Sequence, residues 1–124
     1  MKYEFSPDLP IYLQIIEEIK RQIISGERKP GDRVESVRDI AQFMGVNPNT
    51  MQKALSELEK QGLIYTERTA GRFITMDKSI ISETKLYLAK NKIAEFVEFM
   101  YKLGFSKSEI IKLVEKLMEE NHNG

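Results

Sequence analysis

The chain has 124 residues, of which 41% are hydrophobic and 31% charged, and its 19 basic residues balance its 19 acidic ones. This length is that of one domain, or of a small domain with an appended module, and the composition is typical of a globular protein. The absence of cysteine excludes disulfides and thiolate metal sites. No apolar run approaches the roughly 20 residues of a membrane span, and the first residues lack the apolar core of a signal peptide. We therefore expect a cytoplasmic protein with no membrane partner.

The neutral charge balance also constrains any nucleic-acid partner. Residues 1–77 contain 11 basic and 12 acidic side chains, so neither half of the chain is strongly basic. Proteins that coat nucleic acid indiscriminately usually carry a basic excess. If this protein binds DNA, its positive charge must be local.

The first predicted helix follows Asp8, which we interpret as its N-cap, and Pro10 takes an early helical position. Apolar side chains recur at helical spacing on one face and polar side chains occupy the opposite face. The apolar face contains Tyr12, Ile15, Ile16, Ile19 and Ile23, and the polar face contains Gln14, Glu17, Glu18 and Arg21. Gly26 is the predicted end of the helix, and residues 27–35 form a turn-rich connection.

Two short helices follow, separated by a short turn. Ser36 and Asp39 resemble a capping box at the start of the first of them, and Gly45 ends it. Asn47 is the predicted N-cap of the second helix, with Pro48 at its first position and Gly62 after its end. Two short helices joined by a glycine-containing turn of three or four residues predict a helix-turn-helix.

The rest of the chain predicts a small hairpin and a helical tail. Residues 63–66 and 73–76 are rich in β-branched and aromatic residues and predict two strands joined by residues 67–72. From about Lys78 the pattern is helical only, Gly104 interrupts it, and a capping box over residues 106–109 begins a last helix. Apolar residues in this tail follow heptad spacing and predict a dimerisation seam, formed by Leu86, Ala89, Ile93, Phe96, Met100 and Leu103. The fold class is therefore mostly α with a small β-hairpin.

Enzymatic constellations are scarce. The one histidine, His122, stands three residues from the end of the chain, where we expect too much mobility for catalysis. No Gly-rich phosphate loop, metal-ligand cluster or nucleophile motif is present in the sequence. We therefore expect neither an enzyme nor a metal or organic cofactor.

The start of the second short helix is polar but contains no acid, although acidic side chains are usually favourable at that position. Residues 44–56 include Lys53 and no carboxylate. A recognition helix directs its N-terminal residues toward base edges, where short Asn, Thr and Gln side chains can read them, and the backbone N–H groups of a helix start can bind phosphate. The candidate DNA-binding residues here are Asn47, Pro48, Asn49, Thr50, Gln52 and Lys53. The alternative is that this turn is simply a good N-cap.

Three arginines extend the candidate DNA surface. Arg38 lies in the first turn of its helix, where it is unfavourable for the helix dipole, and it either contacts DNA or pairs with Glu35 or Asp39. Arg68 and Arg72 flank the predicted hairpin tip, with Thr69 and Gly71 between them. Basic residues at a hairpin tip suit a wing beside the minor groove, although exposed hairpins with arginines are also common without that role.

Several motifs in this order resemble the winged helix of GntR-family bacterial transcription regulators, over about residues 9–76. The motifs are Pro10-Ile11-Tyr12-Leu13-Gln14-Ile15, Gly31-Asp32-Arg33-Val34, Ser36-Val37-Arg38-Asp39-Ile40-Ala41, Gly45-Val46-Asn47-Pro48-Asn49-Thr50 and Gln61-Gly62-Leu63-Ile64. The two-helix tail is similar to that of the YtrA-type subfamily. Glu35 departs from the family's usual proline, and the wing contains fewer glycines than is common.

The resemblance implies DNA contacts at Arg38, at residues 47–50, at Gln52 and Lys53, and at residues 68, 69 and 71. We therefore expect residues 1–77 to form a winged helix-turn-helix DNA-binding domain and residues 78–124 a two-helix dimerisation domain. The implied function is a homodimeric transcription regulator, repressor-like, that binds double-stranded DNA at a palindromic operator. Two alternatives stay open: a winged helix that binds a protein partner, and a sensor of an unknown small-molecule effector with a pocket at the dimer interface.

Overall fold

The computed structural model describes residues 4–123, with side chains as far as residue 121, so the side chain of His122 lies outside the described residues. In chain order the elements are α1 (Ile11–Ser25), α2 (Val37–Met44), α3 (Pro48–Lys60), β1 (Ile64–Glu67), β2 (Gly71–Ile74), α4 (Lys78–Lys102) and α5 (Lys107–Asn123). This order confirms the predicted fold class. No helix within residues 4–123 has both the length and the hydrophobicity needed to cross a bilayer.

The start of α1 differs from the prediction. Asp8 is not the N-cap: Pro10 occupies that position, and no side chain among residues 4–121 caps the helix. The preceding segment is held instead by Gln14, which we expected on the polar face but which is buried. Its amide donates to the carbonyls of Ser6 (2.8 Å) and Leu9 (2.9 Å) and accepts from the Ser6 N–H (2.8 Å). Because these bonds satisfy the Gln14 amide, it can be buried at little cost.

The helix-turn-helix forms as predicted. Ser36 Oγ accepts from the Asp39 N–H (3.1 Å) at the start of α2, and Asn47 Oδ1 accepts from the Asn49 N–H (2.7 Å) at the start of α3. Gly45 ends α2 with φ of 73°, a left-handed conformation that glycine adopts without a steric penalty. Pro48 follows at the first position of α3, where its missing N–H costs no helical hydrogen bond.

The core of the first compact unit, residues 1–85, lies between α1, α2, α3 and the hairpin. Its centre consists of large side chains with less than 2% of their surface exposed, namely Ile15, Ile19, Ile23, Met51, Leu55, Leu58, Leu63, Ile64 and Ile74. All five apolar residues predicted for α1 belong to this cluster or pack against it. Burial of these faces fixes which side of α3 remains exposed.

The hairpin has a shorter connection than predicted, because β1 ends one residue later and β2 begins two residues earlier. Strands β1 and β2 pair antiparallel, with Ile64 opposite Ile74 and Glu67 opposite Gly71, so only residues 68–70 form the connection. Gly71 makes this possible because it begins β2 with φ of 100°. The segment before α2 lies along β2 and pairs with it briefly, since the Val34 N–H donates to the Arg72 carbonyl (2.9 Å).

The second compact unit comprises residues 86–124, and α4 runs through the boundary between the two units. The predicted capping box of α5 is present: Glu109 Oε1 accepts from the Ser106 N–H (2.8 Å), and Ser106 Oγ accepts from the Glu109 N–H (3.2 Å). Hydrogen bonds from the Ser106 N–H and the Ser106 side chain to the Glu109 carboxylate lower the pKa of this carboxyl below its usual value. Gly104 separates α4 from α5 as expected.

The predicted seam of α4 is exposed in the single chain. Met100 is buried, but Leu86 (55% exposed), Ile93 (59%), Phe96 (41%) and Leu103 (57%) are not. Ala89 is also exposed. Residues 86–121 therefore present an apolar surface that the described part of the chain leaves uncovered.

Replacing Leu55 with alanine should lower the free energy of unfolding by about 2–5 kcal/mol, because the side chain is fully buried and its removal leaves a cavity. Gln52→Ala, on the exposed face of the same helix, is the matched control and should change the free energy of unfolding by no more than about 0.5 kcal/mol. Urea denaturation of both variants measures the difference. Equal losses would contradict the assignment of the two faces.

Candidate nucleic-acid interface

The N-terminal end of α3 presents a polar, acid-free surface. Asn47, Pro48 and Asn49 are exposed, Thr50 is half-buried, and the first turn contains no acidic residue. The Asn47 side chain is engaged in capping, so its carboxamide oxygen already accepts one hydrogen bond. The Asn49 side chain forms no hydrogen bond with the described residues and is the better placed of the two to read a base edge.

Gln52 and Lys53 extend this surface by one turn along α3, and both are exposed. The Gln52 amide donates to Ser56 Oγ at 3.2 Å, an exposed bond that a DNA partner could replace at little cost. Lys53 Nζ lies 3.9 Å from the centroid of the Tyr12 ring in α1. A cation over an aromatic face is attracted to the ring.

Tyr12 is the residue whose contribution was missed from the sequence. The sequence predicts it on the apolar face of α1, and it does pack against the core, but it is only partly buried. Its exposed ring face supports the Lys53 ammonium group. The two residues are 41 positions apart, so no local pattern predicts this contact, which restricts the lysine to one side of the α3 surface.

Arg38 is exposed in the first turn of α2 and forms no ion pair or hydrogen bond with the side chains described for residues 4–121. Neither Glu35 nor Asp39, the two acids nearest to it in the sequence, pairs with the Arg38 side chain. Glu35 instead accepts from Arg28 Nη1 at 2.8 Å. This ion pair also offsets the negative charge that Glu35 places beside Arg38.

The hairpin tip consists of Arg68, Thr69 and Ala70. Arg68 and Thr69 are both exposed, and the Ala70 N–H donates to the Glu67 carbonyl (3.2 Å) across the turn. Gly71 begins β2 immediately after the tip. The tip therefore projects one exposed cation and one exposed hydroxyl.

Arg72 differs from the other arginines of this region. It lies within β2 opposite Thr66 and is half-buried. Its Nε lies 3.7 Å from Glu59 Oε1 of α3, and the same carboxylate oxygen accepts from Thr66 Oγ1 at 2.6 Å. Arg72 Nε is also buried without a hydrogen bond. Arg72 is thus directed toward α3 and away from the tip.

All the candidate DNA-binding residues belong to the first compact unit. The chemistry of the surface is uniform: amides and a hydroxyl that donate and accept hydrogen bonds, and cations that attract phosphate. Among the described residues, no group of three or more His, Cys, Asp or Glu side chains could hold a metal ion.

Residues 11–74 match the family model of bacterial regulatory proteins of the gntR family. The chain is 37% identical over 119 residues to the uncharacterized HTH-type transcriptional regulator YhcF of Bacillus subtilis, covering 96% of this chain and 98% of YhcF. It is 32% identical over 116 residues to the HTH-type transcriptional repressor YtrA of the same organism, covering 93% of this chain and 89% of YtrA.

Solved structures show the same relationship. A GntR family transcriptional regulator from Listeria monocytogenes superimposes with a TM-score of 0.86 at 40% identity, over 90% of this chain and 98% of that one. The DNA-binding domain of AraR, solved in complex with operator ORX1, superimposes with a TM-score of 0.55 at 30% identity, over 60% of this chain and 95% of that one. Together with the winged helix-turn-helix described above, these similarities show that the chain belongs to the GntR family of bacterial regulatory proteins and is a DNA-binding transcription regulator.

Proposed function

We propose that the protein is a homodimeric repressor that binds a palindromic operator through residues 1–77 and dimerises through residues 78–124. The observation that carries the DNA-binding assignment is the acid-free, exposed start of α3, together with an exposed Arg38 that forms no ion pair with the described side chains. A helix start of this kind offers partial positive charge and hydrogen-bond donors to a polyanion. The repressor assignment is supported by the name of the relative YtrA.

The residues divide into readers of bases and binders of phosphate. Asn49, Thr50 and Gln52 carry short groups that can pair with base edges in the major groove. Lys53, held over the Tyr12 ring, is a phosphate contact. Arg38 reaches a phosphate or a guanine edge. Asn47 and Pro48 set the start of the recognition helix and bring its backbone N–H groups toward the DNA.

The wing contributes Arg68 and Thr69 at its tip, while Gly71 shapes the turn. We assign Arg72 a supporting role, because its guanidinium faces Glu59 and links β2 to α3. The pair holds the wing against the recognition helix. In a hairpin of only two four-residue strands, such a link limits the wing's motion relative to the groove.

The dimer assignment is supported by the exposed apolar residues of the second unit. Phe96, Ile93 and Leu86 follow the heptad seam, and Phe99 is also 59% exposed. Clustered apolar surface of this kind on a chain of this size marks an interaction site. A second copy of the chain satisfies it and also supplies the second recognition helix that a two-fold symmetric site requires.

The two alternatives lead to different observations. A winged helix that binds only a protein partner should not bind random duplex DNA at low salt, whereas the proposed regulator should. A sensor would hold its effector between the two chains, since residues 86–121 alone leave most of their large apolar side chains exposed. Selection of bound duplexes from a random library is the decisive experiment, because it returns both the operator sequence and its symmetry.

Arg38→Ala should weaken binding to the selected operator by about 1–3 kcal/mol per subunit while leaving the thermal unfolding midpoint unchanged. The loss follows from removing one base or phosphate contact by an exposed side chain. Arg21→Ala is the matched control, because Arg21 is an exposed arginine of α1 that pairs with Glu18 and Glu27. Equal operator affinity of Arg38→Ala and the parent would exclude Arg38 from the site.

Operator affinity should fall steeply with salt although the protein is neutral overall. Three or four phosphate contacts per subunit give a slope of roughly −5 to −7 for log affinity against log salt concentration in a dimer. Lys53→Ala should reduce the magnitude of this slope by about one unit per subunit and weaken all duplexes alike. Fluorescence anisotropy titrations over a range of salt concentrations measure both. A slope near zero would favour the protein-partner alternative.

Phe96→Lys should convert the dimer to a monomer at micromolar concentration, because a charge in the centre of an apolar seam cannot be desolvated without a large cost. Asn91→Lys adds the same charge to an exposed position of α4 outside the seam and should leave the dimer intact. Sedimentation velocity distinguishes the two states. If the parent is a monomer, or if Phe96→Lys remains a dimer, the seam is not the interface.

A further inference from the structure

Arg33 lies at the outer edge of the wing, in a segment whose backbone is fixed. Arg33 forms a β-bridge with Phe73 of β2. On either side of it, the Ile74 N–H donates to the Asp32 carbonyl (2.8 Å) and the Val34 N–H donates to the Arg72 carbonyl (2.9 Å). Side chains alternate along an extended segment, so Val34 is buried and Arg33 is exposed. The arginine therefore projects from a rigid edge.

The guanidinium of Arg33 lies against Gly71, the first residue of β2. A Cβ atom at Gly71 would stand 3.5 Å from Nη2, 3.6 Å from Nε and 4.0 Å from Cζ of Arg33. Gly71 directly follows the exposed tip formed by residues 68–70. The Arg33 guanidinium thus lies beside the tip, at van der Waals distance from where a Cβ of residue 71 would stand.

Arg33 is also free to bind an anion. It forms no ion pair or hydrogen bond with the side chains described for residues 4–121, and the nearby Glu35 is engaged by Arg28. Arg72 is nearer to the tip in sequence, but it faces Glu59. Among the described residues, the arginines near Gly71 that form no ion pair are therefore Arg33 and Arg68.

We propose that Arg33 is a DNA-binding residue that contacts a backbone phosphate beside the wing, where it supplies the second cation of the wing in place of Arg72. The inference rests on the proposed DNA-binding function and adds a contact to it. A planar guanidinium with several N–H donors suits bidentate binding of phosphate oxygens. A phosphate contact of this kind positions the wing and carries no base preference.

The test compares Arg33→Ala, Arg33→Lys and the control Arg21→Ala in full-length protein, titrated against the selected operator and a scrambled duplex. Arg33→Ala should lose about tenfold in affinity per subunit near 0.1 M salt, for both duplexes, and should reduce the magnitude of the salt slope by about one unit per subunit. Arg33→Lys should keep the parent slope, because it keeps the charge. Arg21→Ala should match the parent.

Three results would overturn the proposal, and they are distinguishable from failure of the DNA-binding function. If Arg33→Ala binds like the parent while Arg38→Ala loses affinity, the protein binds DNA without Arg33. If Arg33→Ala loses affinity with the parent's salt slope, the residue acts through the shape of the wing and not through phosphate. If Arg33→Lys loses the slope as Arg33→Ala does, charge is not what the position supplies. Absence of duplex binding by the parent itself would overturn the DNA-binding function.

Discussion

Burial of the apolar face of α3 is the constraint on which the candidate DNA-binding surface depends. Met51, Ala54, Leu55 and Leu58 are all fully buried against the rest of the first unit. Because a helix turns about 100° per residue, fixing this face necessarily directs Asn49, Gln52 and Lys53 to the opposite side. The same packing brings Tyr12 of α1 under Lys53 and Glu59 of α3 beside Arg72. The hydrophobic core thus determines which polar groups are available to a ligand.

The elements that sequence reasoning predicted well are those whose signals are local. The caps of α2, α3 and α5 depend on residues two or three positions apart, and the bonds of Ser36, Asn47 and Ser106 are all present. Asp8 shows the limit of the same logic. It is a suitable capping residue by type, but Gln14 binds the preceding segment and the helix starts later. The bounds of the hairpin strands also differ from the prediction, because Gly71 and the pairing of residues 31–34 with β2 fix the register.

The partners of the charged residues could not be predicted, because they depend on contacts between distant parts of the chain. Glu35, which the sequence suggests as a partner of Arg38, pairs with Arg28 instead. Arg72, which the sequence predicts beside the wing tip, pairs with Glu59. Arg33 appeared in the sequence only as part of a motif, and its position beside Gly71 follows from pairing of the 31–34 segment with β2. Residue types and spacing therefore predict a candidate surface, while tertiary structure decides which of its cations remain without an acidic partner among the described residues.

The difference between arginines that pair with acids and arginines that do not explains how a neutral protein can bind a polyanion. Arginines that are already paired with acids, such as Arg21, Arg28 and Arg72, add little to phosphate binding, because their attraction for phosphate is offset by the adjacent carboxylate. Counterion release depends on the phosphates contacted and not on net charge. Within the described part of the chain, the arginines without an acidic partner lie on α2 and around the wing, and the acid-free start of α3 belongs to the same compact unit. One surface can therefore carry unpaired cations while acidic residues lie on other faces. Those acids would oppose DNA binding in orientations that present the other faces of the protein.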